Sequence, residues 1–148
     1  DAGPQRMEAA IDAGLPLVVV PGAADTVVLP PLSDLPEKFK GRTLNFHNPT
    51  MTTMRTSPEE CAAIGRFLVE KLRGARRPIK ILLPLGGLSS IDRPGEIFYL
   101  PEANEALFAT LRSGLAGLEP IEIIEDPRHI DDEGFGQDAA DLLLRLMA

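Results

Sequence analysis

The sequence predicts an α/β fold: a Rossmann-like, doubly wound, mostly parallel sheet of about four strands flanked by helices. Three observations carry that expectation. Short apolar runs of strand length alternate with amphipathic stretches of helix length. Most of those runs end on Pro or Gly. A chain of 148 residues, 44% of them hydrophobic, is long and apolar enough for one buried core, so residues 1–148 read as a single domain.

Pro4 to Ala13 reads as a helix, with Met7, Ala10 and Ile11 on one face and Gly14 and Pro16 ending it. Leu17-Val18-Val19-Val20 is a continuous apolar run and predicts a buried strand, stopped by Pro21-Gly22. Residues 22–42 show no clear period and read as a long connection, with one short helical turn at Glu37 to Lys40. Leu44 to His47 alternates apolar and polar residues, as a half-exposed strand does, and Asn48-Pro49 ends it.

Ser57-Pro58-Glu59-Glu60 is a helix start with a capping box, followed by the stripe Cys61, Ile64, Gly65, Leu68 and Leu72. Ile79 to Leu85 is a second apolar strand, and a polar loop then runs to Leu100. Pro101 opens a helix that turns Leu107, Phe108, Leu111 and Leu115 inward. Ile121 to Glu125 is a partly alternating strand. Asp131 or Asp132 is expected to cap a last helix carrying Phe135, Ala139, Leu142, Leu143 and Leu146 on one side.

The apolar strands 17–20 and 79–83 are expected in the centre of the sheet and the alternating strands 44–47 and 121–125 at its edges, which gives the spatial order 2-1-3-4. The chain opens with a helix whose preceding strand is not in the sequence. The expectation is therefore the C-terminal part of a longer two-subdomain protein.

A formal charge of -7 repels phosphate backbones and anionic lipid, so neither nucleic acid nor a membrane is expected as a partner. The basic residues Arg73, Arg76, Arg77 and Lys80 read as a solvated helix end. No apolar run approaches the ~20 residues of a membrane span, and the N-terminal residues do not read as a signal peptide. The single thiol, Cys61, excludes an internal disulfide framework and fits a reducing, cytoplasmic setting. It lies on the inward stripe of its helix, where packing is the expected role. Two histidines and one cysteine, far apart, form no recognisable metal pattern.

Open parallel sheets bind ligands beyond the carboxyl ends of their strands. Here those ends deliver Gly22 to Asp25, His47-Asn48, the loop from Gly86 to Gly95, and Asp126 to His129. Gly86 and Gly87 let backbone approach a ligand, and Ser89, Ser90 and Arg93 add phosphate donors. The lysine and spacing of a phosphate-binding P-loop are missing. A strand-ending turn is the plainer reading of the two glycines. Arg55 and Thr56 lie at a helix N-terminus, a ready anion site. Asp25, His47 and Asn48 are candidates for holding a sugar hydroxyl or a metal, with local turn roles as the alternative. His129 reads as a loop residue near a helix cap. No nucleophile–base arrangement is convincing, so catalytic residues are unknown.

Several runs together resemble one family. They are Gly14-Leu15-Pro16-Leu17-Val18-Val19-Val20-Pro21-Gly22, His47-Asn48-Pro49, Met54-Arg55-Thr56-Ser57-Pro58-Glu59-Glu60, Leu82-Leu83-Pro84-Leu85-Gly86-Gly87-Leu88-Ser89-Ser90-Ile91-Asp92-Arg93-Pro94-Gly95 and His129-Ile130-Asp131-Asp132. The chain resembles the C-terminal subdomain of the ATP-binding-domain family typified by the tomato mosaic virus resistance protein. That resemblance implies two Rossmann-like subdomains, ATP with Mg²⁺ as ligand, an N-terminal subdomain of the same protein as partner, and self-association into a homo-oligomer. Nucleotide binding is the first functional expectation. The rivals are an enzyme acting on a small carboxylated or phosphorylated metabolite, with His47 or His129 as its acid–base group, and a protein-interaction module.

Overall fold

The computed structural model describes residues 7–148. Among them, in chain order, lie α1 (Glu8–Asp12), β1 (Leu17–Val19), β2 (Thr26–Leu29), β3 (Leu44–Asn48), β4 (Met51–Arg55), α2 (Pro58–Leu72), β5 (Ile79–Pro84), α3 (Pro101–Leu115), β6 (Ile121–Asp126) and α4 (Phe135–Met147). Single 3₁₀ turns occupy Leu32–Asp34 and Glu37–Phe39, the second of them where a helical turn was expected. The part of the N-terminal helix assigned to residues 4–6 lies outside the described residues.

Two separate three-stranded sheets form. The first is parallel, in the order β1-β5-β6, with Leu17 opposite Ile79 and the β5–β6 register running from Ile79–Ile121 to Pro84–Asp126. The second is an antiparallel meander in the order β2-β4-β3. Alternation sorts the side chains of the parallel sheet. Ile79, Ile81 and Leu83 of β5 join α2 and α3 in the main core, with Leu17, Val19, Ile121 and Ile123 packed against it. Leu82 is buried outside that cluster and belongs to the opposite face. α4, which follows β6, contacts β1.

α2 begins and α3 packs as their sequences dictate. Ser57 Oγ accepts the Glu60 N–H at 3.2 Å, and the Glu60 carboxylate accepts the Ser57 N–H at 2.7 Å, which completes the capping box of α2. Arg42 clamps the same carboxylate at 2.6 Å and holds the Glu60 carboxyl below its ordinary value. α3 buries Leu107, Phe108, Leu111 and Leu115 as its spacing requires.

Three expectations are corrected. The parallel sheet has three strands, and the segment 44–48 is not its fourth: it pairs with β4 in the second sheet. The reason is local. The chain turns back at Asn48–Thr50, where Asn48 Oδ1 accepts from both the N–H and the hydroxyl of Thr50 at 2.9 Å, and the Thr-rich strand β4 takes the ladder. β2 and β4, absent from the sequence reading, fill part of what looked like loop.

Among the described residues the apolar run at β1 lies at an edge and not in the centre, and its three residues are only half-buried. An apolar strand signals burial of its faces, not a neighbour on each side. The last helix is capped at Gly134 and not at Asp131 or Asp132. Asp132 is engaged earlier, its carboxylate accepting the His129 N–H at 2.8 Å and closing a turn over residues 129–132.

Candidate functional site at the carboxyl ends of the parallel strands

The carboxyl ends of β1, β5 and β6 meet in a tightly bonded cluster. Backbone bonds tie the segments together: Ala23 N–H donates to Leu88 O at 2.9 Å, Leu85 N–H to Asp126 O at 2.8 Å, and Ile130 N–H to Gly87 O at 3.2 Å. A parallel sheet delivers its strand ends to one side, so these contacts follow from the topology of β1, β5 and β6.

At the centre lies Asp25, which is fully buried. Its Oδ2 accepts the Ser89 hydroxyl at 2.5 Å, whereas its Oδ1 is buried with no hydrogen-bond partner among the described residues. Burial pushes the Asp25 carboxyl above its ordinary range; the Ser89 hydrogen bond opposes that shift and the neighbouring Asp92 reinforces it.

Arg55 is 3% exposed and links several segments. Its guanidinium donates to Phe98 O at 2.7 Å, Leu100 O at 3.2 Å, Asn104 Oδ1 at 2.7 Å and Thr56 Oγ1 at 3.0 Å. Asp92 is fully buried 3.7 Å from the same guanidinium. The Asp92 carboxylate also accepts the Leu88 N–H at 2.9 Å and the Asn104 amide at 2.7 Å. Arg55 and Asp92 thus form a buried ion pair that fastens β4 to the loop after β5 and to the start of α3. Asn104 was missed in the sequence. Its signal was a polar residue within the inward stripe of α3, beside Ala103 and Leu107.

His129 is buried and committed. Its Nδ1 accepts from Asp131 N–H at 3.0 Å and lies 2.6 Å from an Arg93 nitrogen, so the geometry places the proton on Nε2, which donates to Ser89 O at 3.0 Å.

The candidate residues thus fall into groups. Asp25, Ser89 and Arg93 join one network with His129. Ser90 lies beside them and is exposed. Arg55 and Thr56 are brought close but face inward, with their donors engaged. Gly86 and Gly87 allow close approach, and what approaches is this protein's own chain. A methyl group on Gly86 would lie 2.6 Å from His129 N, and one on Gly87 would lie 2.1 Å from Asp92 O. Their N–H groups donate to Arg128 O and Pro84 O.

His47 and Asn48 are not brought to the cluster. Asn48 pairs with Met51 at the far end of β4, four residues from Arg55, and ~3.4 Å per residue puts it about 14 Å away. His47 is exposed beside it. Among the described residues no group of three or more His, Cys, Asp or Glu side chains is placed to hold a metal ion. No described helix is long and apolar enough to cross a membrane.

Fold and site together define an α/β domain with a three-stranded parallel sheet and a polar cluster at its carboxyl rim. The chain belongs to the uncharacterised protein family UPF0261, whose C-terminal domain profile matches residues 1–147. It is 44% identical over 147 residues to a UPF0261 protein of Clostridium tetani, covering 99% of this chain and 36% of that protein. It is 41% identical over 125 residues to a UPF0261 protein of Rhizobium meliloti, covering 84% of this chain and 31% of that one. It is 33% identical over 141 residues to the ToMV resistance protein Tm-1 of Solanum lycopersicum, covering 95% and 19% respectively. The chain spans about a third of the length of the UPF0261 proteins it matches and corresponds to the C-terminal part of a larger protein with another region.

Proposed function

We propose that this chain is the nucleotide-binding C-terminal part of a larger protein, with ATP and Mg²⁺ held at the carboxyl rim of β1, β5 and β6. The observation that carries the reading is Asp25. A fully buried carboxyl in the loop after β1, hydrogen-bonded by Ser89 and with one oxygen unpartnered among the described residues, is a group awaiting a donor. A sugar hydroxyl or a water on Mg²⁺ supplies one. Ser90, which is exposed, and the half-exposed guanidinium of Arg93 offer phosphate donors at the mouth. The rim also carries Asp131 and Asp132, whose negative charge a divalent cation on an anionic ligand offsets.

The test is thermal melting and calorimetric titration of the full-length protein with Mg-ATP. Binding at a hundredfold over Kd stabilises by ~2.7 kcal/mol and raises Tm accordingly. S90A and R93A are expected to weaken binding at least tenfold. No shift at millimolar Mg-ATP rejects the reading.

One observation favours a second reading, an enzyme acting on a small carboxylated or phosphorylated metabolite. The raised Asp25 carboxyl beside the Ser89 hydroxyl is an acid–base pair in the making. His129 does not serve that reading, because both of its ring nitrogens are engaged. Turnover by the full-length protein that is lost in D25N supports it, and turnover unchanged in D25N excludes it.

A further inference from the structure

We propose that the free edge of β1 is the seat of a further parallel strand, contributed by the region of the full-length protein that precedes this chain. Four independent features converge on that edge.

The first is backbone. Leu17 donates its N–H to Pro78 O, so Leu17 and Val19 turn their peptide groups toward β5. Val18 and Val20 turn theirs away, toward an edge with no strand among the described residues.

The second is chemistry. The other edge of the sheet, β6, carries Glu122, Glu125 and Asp126, and charges on an edge strand discourage further pairing. β1 is Leu-Val-Val, with no charge, proline or bulge to protect it.

The third is shape. A groove of about 570 Å³ runs beside β1, lined by Met7, Ala10, Val18, Ile64, Phe67 and Leu68. Ile64 and Leu68, on the inward stripe of α2, are only half-buried, and Phe67 is 40% exposed. On α4, which packs against β1, Leu144 and Met147 are 64% and 66% exposed.

The fourth is handedness, and it names the occupant. Met7 and Ile11 pack on the core face formed by α2 and α3, and Glu8 pairs with Lys71 of α2, so α1 lies on that face. The connections β1–α2–β5 and β5–α3–β6 cross this same face, both in the direction from β1 toward β6. Right-handed crossovers over one face all advance in one direction. A parallel strand feeding through α1 into β1 therefore lies on the side of β1 away from β5, at the free edge. The relatives supply the chain length: about two thirds of the Clostridium tetani protein lies outside the region that matches, and that region is the C-terminal domain.

Amide-resolved hydrogen exchange on the full-length protein tests this. Val18 and Val20 are expected to exchange at least a thousandfold more slowly than unprotected amides, alongside Leu17 and Val19. Val18 and Val20 exchanging at loop rates while Leu17 and Val19 stay protected would overturn the proposal. Protection that vanishes on dilution through a dimer–monomer transition would assign the edge to a second copy and also overturn it. V18P gives a second readout. At an unpaired edge proline is tolerated, so an unchanged Tm in the full-length variant contradicts a paired strand, whereas a fall of several degrees supports one.

Discussion

Asp25 and Ser89, 64 positions apart in the chain, meet at 2.5 Å where the ends of β1 and β5 come together. The contact exists because parallel pairing brings both loops to the same rim. Among the described residues the Ser89 hydroxyl is the one side-chain donor to a buried carboxyl whose two oxygens both need partners.

Removing that donor tests its weight. S89A leaves both Asp25 oxygens without a side-chain donor and is expected to lower the unfolding free energy by about 1–3 kcal/mol, the cost of a buried group left unsatisfied. Urea denaturation of wild type and variant at neutral pH measures it.

The Asp25 carboxyl also sets a pH dependence. Burial holds its folded value above the ordinary 3.8. Between 3.8 and that raised value the folded chain keeps a proton that the unfolded chain has released, so the Asp25 contribution to stability falls as pH rises through the window. The difference in unfolding free energy between wild type and D25N is expected to decline from about pH 4 upward. A flat difference would show that Asp25 titrates alike in both states.

Arg55 holds several segments at one point, and its loss strands Asp92. R55A is expected to cost about 3–5 kcal/mol, because a fully buried carboxylate is left without its cation. R55K restores little, since an ammonium cannot reach Phe98 O, Leu100 O and Asn104 together as the planar fork does. Denaturant midpoints of the two variants check both statements.

Two glycines separate crowding from strain. Gly87 (φ 139°) and Gly95 (φ 92°) both hold positive φ, but only Gly87 is crowded: a methyl there meets Asp92 O at 2.1 Å, while none of the described atoms lies within 4 Å at Gly95. G95A is expected to cost ~1–3 kcal/mol from backbone strain alone, and G87A more. Equal melting temperatures for the two variants would contradict the packing.

At the start of α2, Arg42 holds the Glu60 carboxyl below 4.5. Stability from this pair is present above that value and is lost as pH falls through the lower folded one. R42M is expected to move the Glu60 titration upward and to flatten the acid limb of the stability profile. Carboxyl NMR titration reads the first effect and acid denaturation the second.

Much of the fold is legible in the residues. Ser57-Pro58-Glu59-Glu60 encodes its cap within four positions, and the stripe of α3 encodes its buried face, because each signal is local and periodic. β4 was hidden because Met51-Thr52-Thr53-Met54-Arg55 has no apolar alternation, and the turn at Asn48-Pro49-Thr50 reads equally as a strand end. The polar cluster at the strand ends was legible as a location more than as a set of contacts. Ser89 and Asp25 fell where parallel strand ends belong. Arg55 and Thr56, assigned to an open helix terminus, turn inward: Phe98 O, Leu100 O and Asn104 arrive from distant sequence to take the Arg55 donors, and the Thr56 hydroxyl donates to Ala24 O.

The sequence by itself determined the four helices and the strands β1, β5 and β6, where α2 begins, and that polar loops follow those strands, since these depend on neighbours within a few residues. Only the tertiary structure decided that residues 26–55 hold a sheet of their own, that β1 is the last strand of the parallel sheet among the described residues, and that Gly86 and Gly87 admit the protein's own backbone. Those outcomes rest on which distant surfaces fill the same space, and hydrophobic patterning states that a face is buried without stating what covers it.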